Sequence, residues 1–294
     1  MSRRFLVTLG AVMQLAHARE PDVVLPLWPG ASAPGETLPS PYGDERDTTP
    51  SNGGLIAGRP VIRLGNVTHP TLSVYRARPG KVPGAEPGIQ NTAALVFPGG
   101  GYHILAWDLE GTEVCEWLKA QGITAGLVKY RVPKRPGQPA HAAALADAQQ
   151  ALALMRSHAG DWGFAADRIG AVGFSAGGYL GAALAANGTN AATRLNFNIL
   201  IYPAYLADPQ NPGKLAADIS LSTNTPPTFL VMTENDPLRP ENALYYYLAL
   251  HQAKIPVELH LYPQGGHGYG LRRTQDAVTT WPDRAAEWLQ RTLP

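Results

Sequence analysis

The chain has 294 residues, a formal net charge of +1 and 16% charged residues, against roughly 25% in ordinary globular domains. So balanced a charge excludes the electrostatic footprint of a nucleic-acid binder. The single cysteine, Cys115, excludes an intrachain disulfide and a cysteine-based metal site.

Residues 1–18 open with Arg3 and Arg4, continue as an apolar run from Phe5 to Ala16, and end in Ala16-His17-Ala18. This is the layout of a signal peptide, so the mature chain is expected to begin near Arg19 and to be secreted or periplasmic. No other stretch approaches the ~20 apolar residues of a membrane span, so no membrane partner is expected. From Arg19 to Arg59 Pro, Gly, Ser and Asp dominate without periodicity. An extended arm is expected here, anchored by Leu25, Leu27 and Trp28. Ile62–Leu64 and Thr71–Tyr75 read as strands of an antiparallel edge hairpin, and Pro79–Gly88 as a loop.

From Ala93 strands and helices alternate, which predicts a mainly parallel central sheet with helices on both faces. The expected strands are 94–97, 123–130, 169–174, 198–202, 228–233 and 257–262. The expected helices are 111–120, 140–158, one following residue 175, 241–253 and 282–292. No internal repeat or linker interrupts residues 60–294, so they form one domain. The segment between Tyr202 and Thr228 is Pro- and Asp-containing and too short for a multi-helix cap. A minimal lid and an open site are expected.

Three loops carry chemistry. Gly173-Phe174-Ser175-Ala176-Gly177 joins a buried strand to a small-residue helix. A serine on so sharp a turn is held in a strained backbone with its Oγ above the sheet edge, and the flanking glycines let strand and helix pass closely. Pro98-Gly99-Gly100-Gly101-Tyr102 follows the first parallel strand, where backbone N–H groups can approach an oxyanion with no Cβ in the way. Of eight histidines, only His267 follows the last strand, in the glycine-flanked loop Gly265-Gly266-His267-Gly268. The loop after Met232 offers Glu234 and Asp236 as the acid. Asp236 is preferred because it lies farther past the strand end, and Glu234 stays as the alternative.

PGGGYHIL at 98–105, GFSAGGYL at 173–180, ENDP at 234–237 and ELHLYPQGGHGYGL at 258–271 resemble the α/β-hydrolases, closest to the branch of acetylxylan esterases and hormone-sensitive-lipase-like carboxylesterases. LPLWPGASAPG at 25–35 is similar to the start of secreted xylan-degrading esterases. Pro98 replaces the histidine of the family's HGGG-type loop, a departure that leaves the backbone donors intact. The resemblance covers about residues 60–294. It implies the α/β-hydrolase fold, a triad of Ser175, Asp236 and His267, and oxyanion donors from Gly100, Gly101 and Ala176. It also implies hydrolysis of short acyl esters of carbohydrate, such as acetylated xylan oligosaccharides, without metal or cofactor. A broad short-chain carboxylesterase, a serine peptidase and a non-catalytic carbohydrate-binding protein are the alternatives. Tyr102, Trp107, Tyr179, Tyr205 and Tyr269 stand near the motifs, where each could stack on a sugar ring or belong to the core.

Overall fold

The computed structural model describes residues 20–30, 32–36, 41–77 and 89–293. The expected signal peptide (1–18) and the loop 79–88 lie outside them. In chain order the elements are β1 (Val23–Pro26), β2 (Arg46–Asp47), β3 (Arg63–Gly65), β4 (Thr71–Tyr75), β5 (Ala93–Phe97), β6 (Ile104–Ala106), a π-helical turn (Asp108–Thr112), α1 (Glu113–Ala120), β7 (Thr124–Lys129), α2 (Ala142–Ser157), α3 (Ala159–Trp162), β8 (Ile169–Phe174), α4 (Ala176–Ala186), β9 (Asn198–Ile201), β10 (Thr228–Thr233), α5 (Glu241–Gln252), β11 (Val257–Tyr262), a 3₁₀ turn (Ala277–Thr280) and α6 (Trp281–Thr292).

The main sheet has the order β1-β4-β7-β5-β8-β9-β10-β11. The six strands from β7 to β11 are parallel, and β4 and β1 close one edge antiparallel. Strands β5 and β8 are buried along their whole length, which is why they read as continuous apolar runs rather than alternating ones. Alternate side chains still choose opposite faces. Leu95 and Phe97 pack with Leu152 and Met155 of α2, Leu180 of α4 and Leu250 of α5. Ala94 and Val96 pack with Val114, Cys115 and Leu118 of α1 and Trp288 and Leu289 of α6. Each fully buried leucine of these helices contributes roughly 1.5–3 kcal/mol relative to exposure.

The expected hairpin does not form. β3 pairs with β2 and β6 in a separate three-stranded sheet, and β4 pairs with β1 and β7. Four of the five β4 residues are buried, which requires neighbours on both edges. A two-stranded edge ribbon cannot supply them.

Between Arg19 and Arg59 the chain contributes β1 to the main sheet and is tied down by buried ionic groups. The Trp28 indole Nε1 donates to Asp147 Oδ1 at 2.8 Å, and Asp147 Oδ2 accepts from Arg131 Nε at 2.9 Å. Arg131 also donates to the Pro34 carbonyl at 2.6 Å, and Arg135 holds Glu36 at 2.6 Å. Arg131 and Asp147 are both buried, and removing one partner of such a pair costs about 3–5 kcal/mol.

Chain order reverses between β5 and β8. The chain leaves β5 for β7 on one side, then returns through α2 to β8 on the other. Ligand crevices of open α/β sheets lie at the carboxyl ends of strands at such a switch point. The glycine loop leaves β5 there and Ser175 leaves β8, from neighbouring strands in register at Phe97 and Gly173.

Candidate active site

Ser175 has φ +52° and ψ −117°, the strained turn conformation expected from its place between β8 and α4. A Cβ on Gly173 would overlap the Gly177 carbonyl, and one on Gly177 would overlap the Phe97 carbonyl. Only glycine at both positions lets α4 start this close to β8 and β5. Every residue of α4 from Ala176 to Ala185 is buried, so small residues set its distance from the sheet.

The structure brings the three predicted side chains together. Ser175 Oγ lies 2.9 Å from His267 Nε2, and His267 Nδ1 lies 2.6 Å from Asp236 Oδ2. The other Asp236 oxygen accepts the Leu238 N–H at 2.7 Å, so both oxygens of a buried carboxylate are engaged. Glu234 is exposed, and its backbone N–H donates to the Tyr262 carbonyl at 2.7 Å. The His267 loop is stitched to the acid loop. Gly266 donates its N–H to Asn235 Oδ1 at 2.9 Å, and the Thr233 hydroxyl donates to the Gly266 carbonyl at 2.7 Å.

Gly100 and Gly101 line the same cavity as Ser175 and His267. Their φ values of +132° and +64° lie where L side chains are strained, and a Cβ on Gly100 would overlap the Ile104 carbonyl. Ala176 is the first residue of α4, so its N–H has no acceptor within the helix. The Gly99 amide is committed elsewhere. It donates to Glu110 Oε2 at 2.6 Å.

Glu110 was not singled out from the sequence. It sits buried in the π-helical turn before α1, where its Oε1 accepts the Tyr202 hydroxyl at 2.8 Å. Tyr202 in turn accepts the Gly270 N–H at 3.1 Å, and its ring lies 4.8 Å from the His267 ring. One carboxylate thus joins the glycine loop after β5 to the histidine loop after β11. Burial pushes its pKa above the usual carboxylate value, opposed by those two hydrogen bonds. No local pattern in the sequence marks it, since Asp108, Glu113 and Glu116 are carboxylates of the same stretch.

The cavity over Ser175 measures about 430 Å³. Leu109 and Leu238 line it, together with Leu55 and Ile56 of the N-terminal arm, so the arm covers one side of the site. Residues 203–227 hold no helix, in keeping with a minimal cap. Of the five candidate aromatics, Tyr102, Tyr179 and Tyr269 are buried and Trp107 is partly covered, whereas Tyr205 is 48% exposed. Among the described residues no group of three or more His, Cys, Asp or Glu side chains is placed to hold a metal ion, and no helix is long and apolar enough to cross a membrane.

Comparison with known proteins agrees with this architecture. A family profile described as "alpha/beta hydrolase fold" matches residues 94–219. The acetylxylan esterase of Xylanibacter ruminicola is 30% identical over 202 residues, which are 61% of this chain and 41% of that protein. The chain spans less than half the length of the curated relatives it matches. The crystal structure of an acetyl ester-xyloside bifunctional hydrolase from Caldicellulosiruptor lactoaceticus superposes with a TM-score of 0.69 at 27% identity, covering 92% of this chain and 97% of that one. MGS-M1, an α/β hydrolase from a Medee basin deep-sea metagenome library, is 30% identical with a TM-score of 0.64, covering 76% of this chain and 93% of that one. On the profile match, this identity and this coverage, the chain belongs to the α/β-hydrolase family.

Proposed function

We propose that the chain is a serine carboxylic-ester hydrolase that removes short acyl groups, above all acetyl, from carbohydrate. The observation that carries the reading is the His267 ring, held between Ser175 Oγ and the buried Asp236 carboxylate. In the proposed cycle His267 Nε2 takes the Ser175 proton as Oγ bonds to the ester carbonyl carbon. The carbonyl oxygen becomes an oxyanion, held by the amides of Gly100, Gly101 and Ala176. Asp236 keeps the proton on Nδ1 and stabilises the imidazolium. The tetrahedral intermediate collapses and the alcohol leaves with the proton from His267. Water, deprotonated by His267, then releases the acid and restores Ser175.

The carbohydrate half is supported by the likeness to an acetylxylan esterase and to an acetyl ester-xyloside hydrolase. Acetate release from acetylated xylo-oligosaccharide and from 4-nitrophenyl acetate tests both halves, with a peptide substrate as control. Wild-type enzyme should act on both esters, and Ser175→Ala should lose all but ~10⁻³ or less of kcat on each. A variant keeping a tenth of the rate contradicts the nucleophile. Turnover of the nitrophenyl ester alone reduces the function to general carboxylesterase, and cleavage of the peptide alone makes it a peptidase. Export with loss of residues 1–18 belongs to the same proposal. The intact mass of exported protein should place the start near Arg19, and a retained Met1 contradicts it.

A further inference from the structure

A second cavity, of about 300 Å³, lies beside the one over Ser175. Gly101 and Tyr205 line both cavities and so form the partition between them. The second is walled by Tyr102, His103, Lys134, His141 and Tyr179. Its volume is at the lower end of the ~300–1,000 Å³ of small-ligand sites.

The aromatic wall is braced rather than loose. Tyr205 stacks on Tyr102 with ring centroids 6.0 Å apart and planes at 23°, and it meets Tyr179 edge-on at 6.5 Å. Tyr102 is tied to the start of α4, its hydroxyl donating to the Ala176 carbonyl at 2.9 Å. Tyr205 nonetheless stays about half exposed, with φ +64°. A non-glycine residue in that region persists only where its surroundings impose it, and such residues cluster at functional sites. At the other end Asp218 Oδ2 accepts the Tyr179 hydroxyl and lies 3.2 Å from His141 Nε2. Burial lowers the His141 pKa against the pull of Asp218, which favours the neutral ring. With its proton on Nε2 toward Asp218, Nδ1 remains an acceptor. Lys134 adds three donors.

This chemistry discriminates among ligands. An acyl chain favours an apolar lining, but here two histidines, a lysine and tyrosines surround the space. A charged ligand favours one dominant sign, but the lining holds a single charged side chain, Lys134, and Asp218 stands behind Tyr179 and His141 with the opposite sign. A neutral polyol with an apolar ring face fits both the aromatic surface and the fixed donors and acceptors.

We infer that the second cavity is a pyranose subsite, in which a sugar unit next to the acetylated one lies against Tyr205 and is hydrogen-bonded from the His141–Lys134 end. The inference rests on the carbohydrate-ester reading above.

The test compares kcat/KM for acetylated xylotriose, monoacetylated xylose and 4-nitrophenyl acetate in wild type, His141→Ala and Lys134→Ala. Lys134 is exposed, so its variant keeps the test sound if His141→Ala fails to fold. Wild type should prefer the acetylated trisaccharide to the monosaccharide, and that preference should fall about tenfold in each folded variant, through KM rather than kcat. Preferences within twofold of wild type overturn the subsite. So does a loss confined to esters of aromatic acids, assayed with 4-nitrophenyl cinnamate, which makes the cavity an acyl pocket. Wild type that hydrolyses 4-nitrophenyl acetate but releases no acetate from either sugar overturns the subsite and the carbohydrate reading together, while leaving the esterase. Failure on all three esters overturns the esterase itself.

Discussion

Only Asn235 separates Asp236 from Glu234, and burial tells them apart. Asp236 has one oxygen on His267 and the other on a backbone amide, whereas Glu234 faces solvent. An amide at 236 cannot stabilise the imidazolium, so Asp236→Asn should lower kcat by about three to four orders of magnitude. Glu234→Gln should stay within about twofold. The opposite ranking in steady-state assays assigns the acid to Glu234. Glu110 reaches the site through the Gly99 amide and the Tyr202 hydroxyl, which is the place of a positioning residue. A glutamine there offers one acceptor where the Gly99 amide and the Tyr202 hydroxyl need two, and it turns its own donor toward one of them. Glu110→Gln should therefore loosen the glycine loop and the histidine loop together. The expected outcome is a ~10²-fold fall in kcat with KM changed much less, in a folded protein by circular dichroism. An unchanged kcat contradicts the positioning role.

At the scale of elements, local patterns read well and pairings did not. β8, the Ser175 turn and α4 were legible because one short stretch carries all their determinants: a continuous apolar run, glycines two residues either side of the serine, then small residues. The strand after Thr228 and the helix after Glu241 were equally plain. β3 and β4 are legible as strands but their partners are not, since partner choice depends on β6 and β7, which lie far along the chain. β6 itself was hidden inside the motif that drew attention to the glycines. Glu110 escaped for a related reason, because its partners are 11 and 92 residues away and no local pattern reports them. The element with a direct kinetic consequence is the stretch between β9 and β10. It holds no helix, so no apolar lid extends the cavity into an acyl channel. In a channel each buried CH₂ contributes about 0.8 kcal/mol. Without one, kcat/KM should decline from acetyl or butyryl to octanoyl nitrophenyl esters, and a maximum at octanoyl or longer contradicts the open site.

Across the whole molecule, the parallel sheet collects what the chain disperses. The glycine loop, Ser175, Asp236 and His267 follow β5, β8, β10 and β11, and parallel strands deliver all four loops to the same end of the sheet. That is why the loop of His267, which follows the last strand, comes to the Ser175 end of the sheet. The reach of the N-terminal arm to Leu55 and Ile56 in the cavity wall could not be read this way, since the segment is held by Arg272, which donates to the Ile56, Arg59 and Pro60 carbonyls from far along the chain. We propose that this convergence makes Ser175 the nucleophile. The most direct measurement is the mass of the full chain after reaction with diethyl 4-nitrophenyl phosphate, followed by peptide mapping. One diethylphosphoryl group should add to Ser175, in step with loss of ester hydrolysis, and Ser175→Ala should take up none. Loss of hydrolysis with the label on another residue, or hydrolysis undiminished in labelled protein, would contradict it.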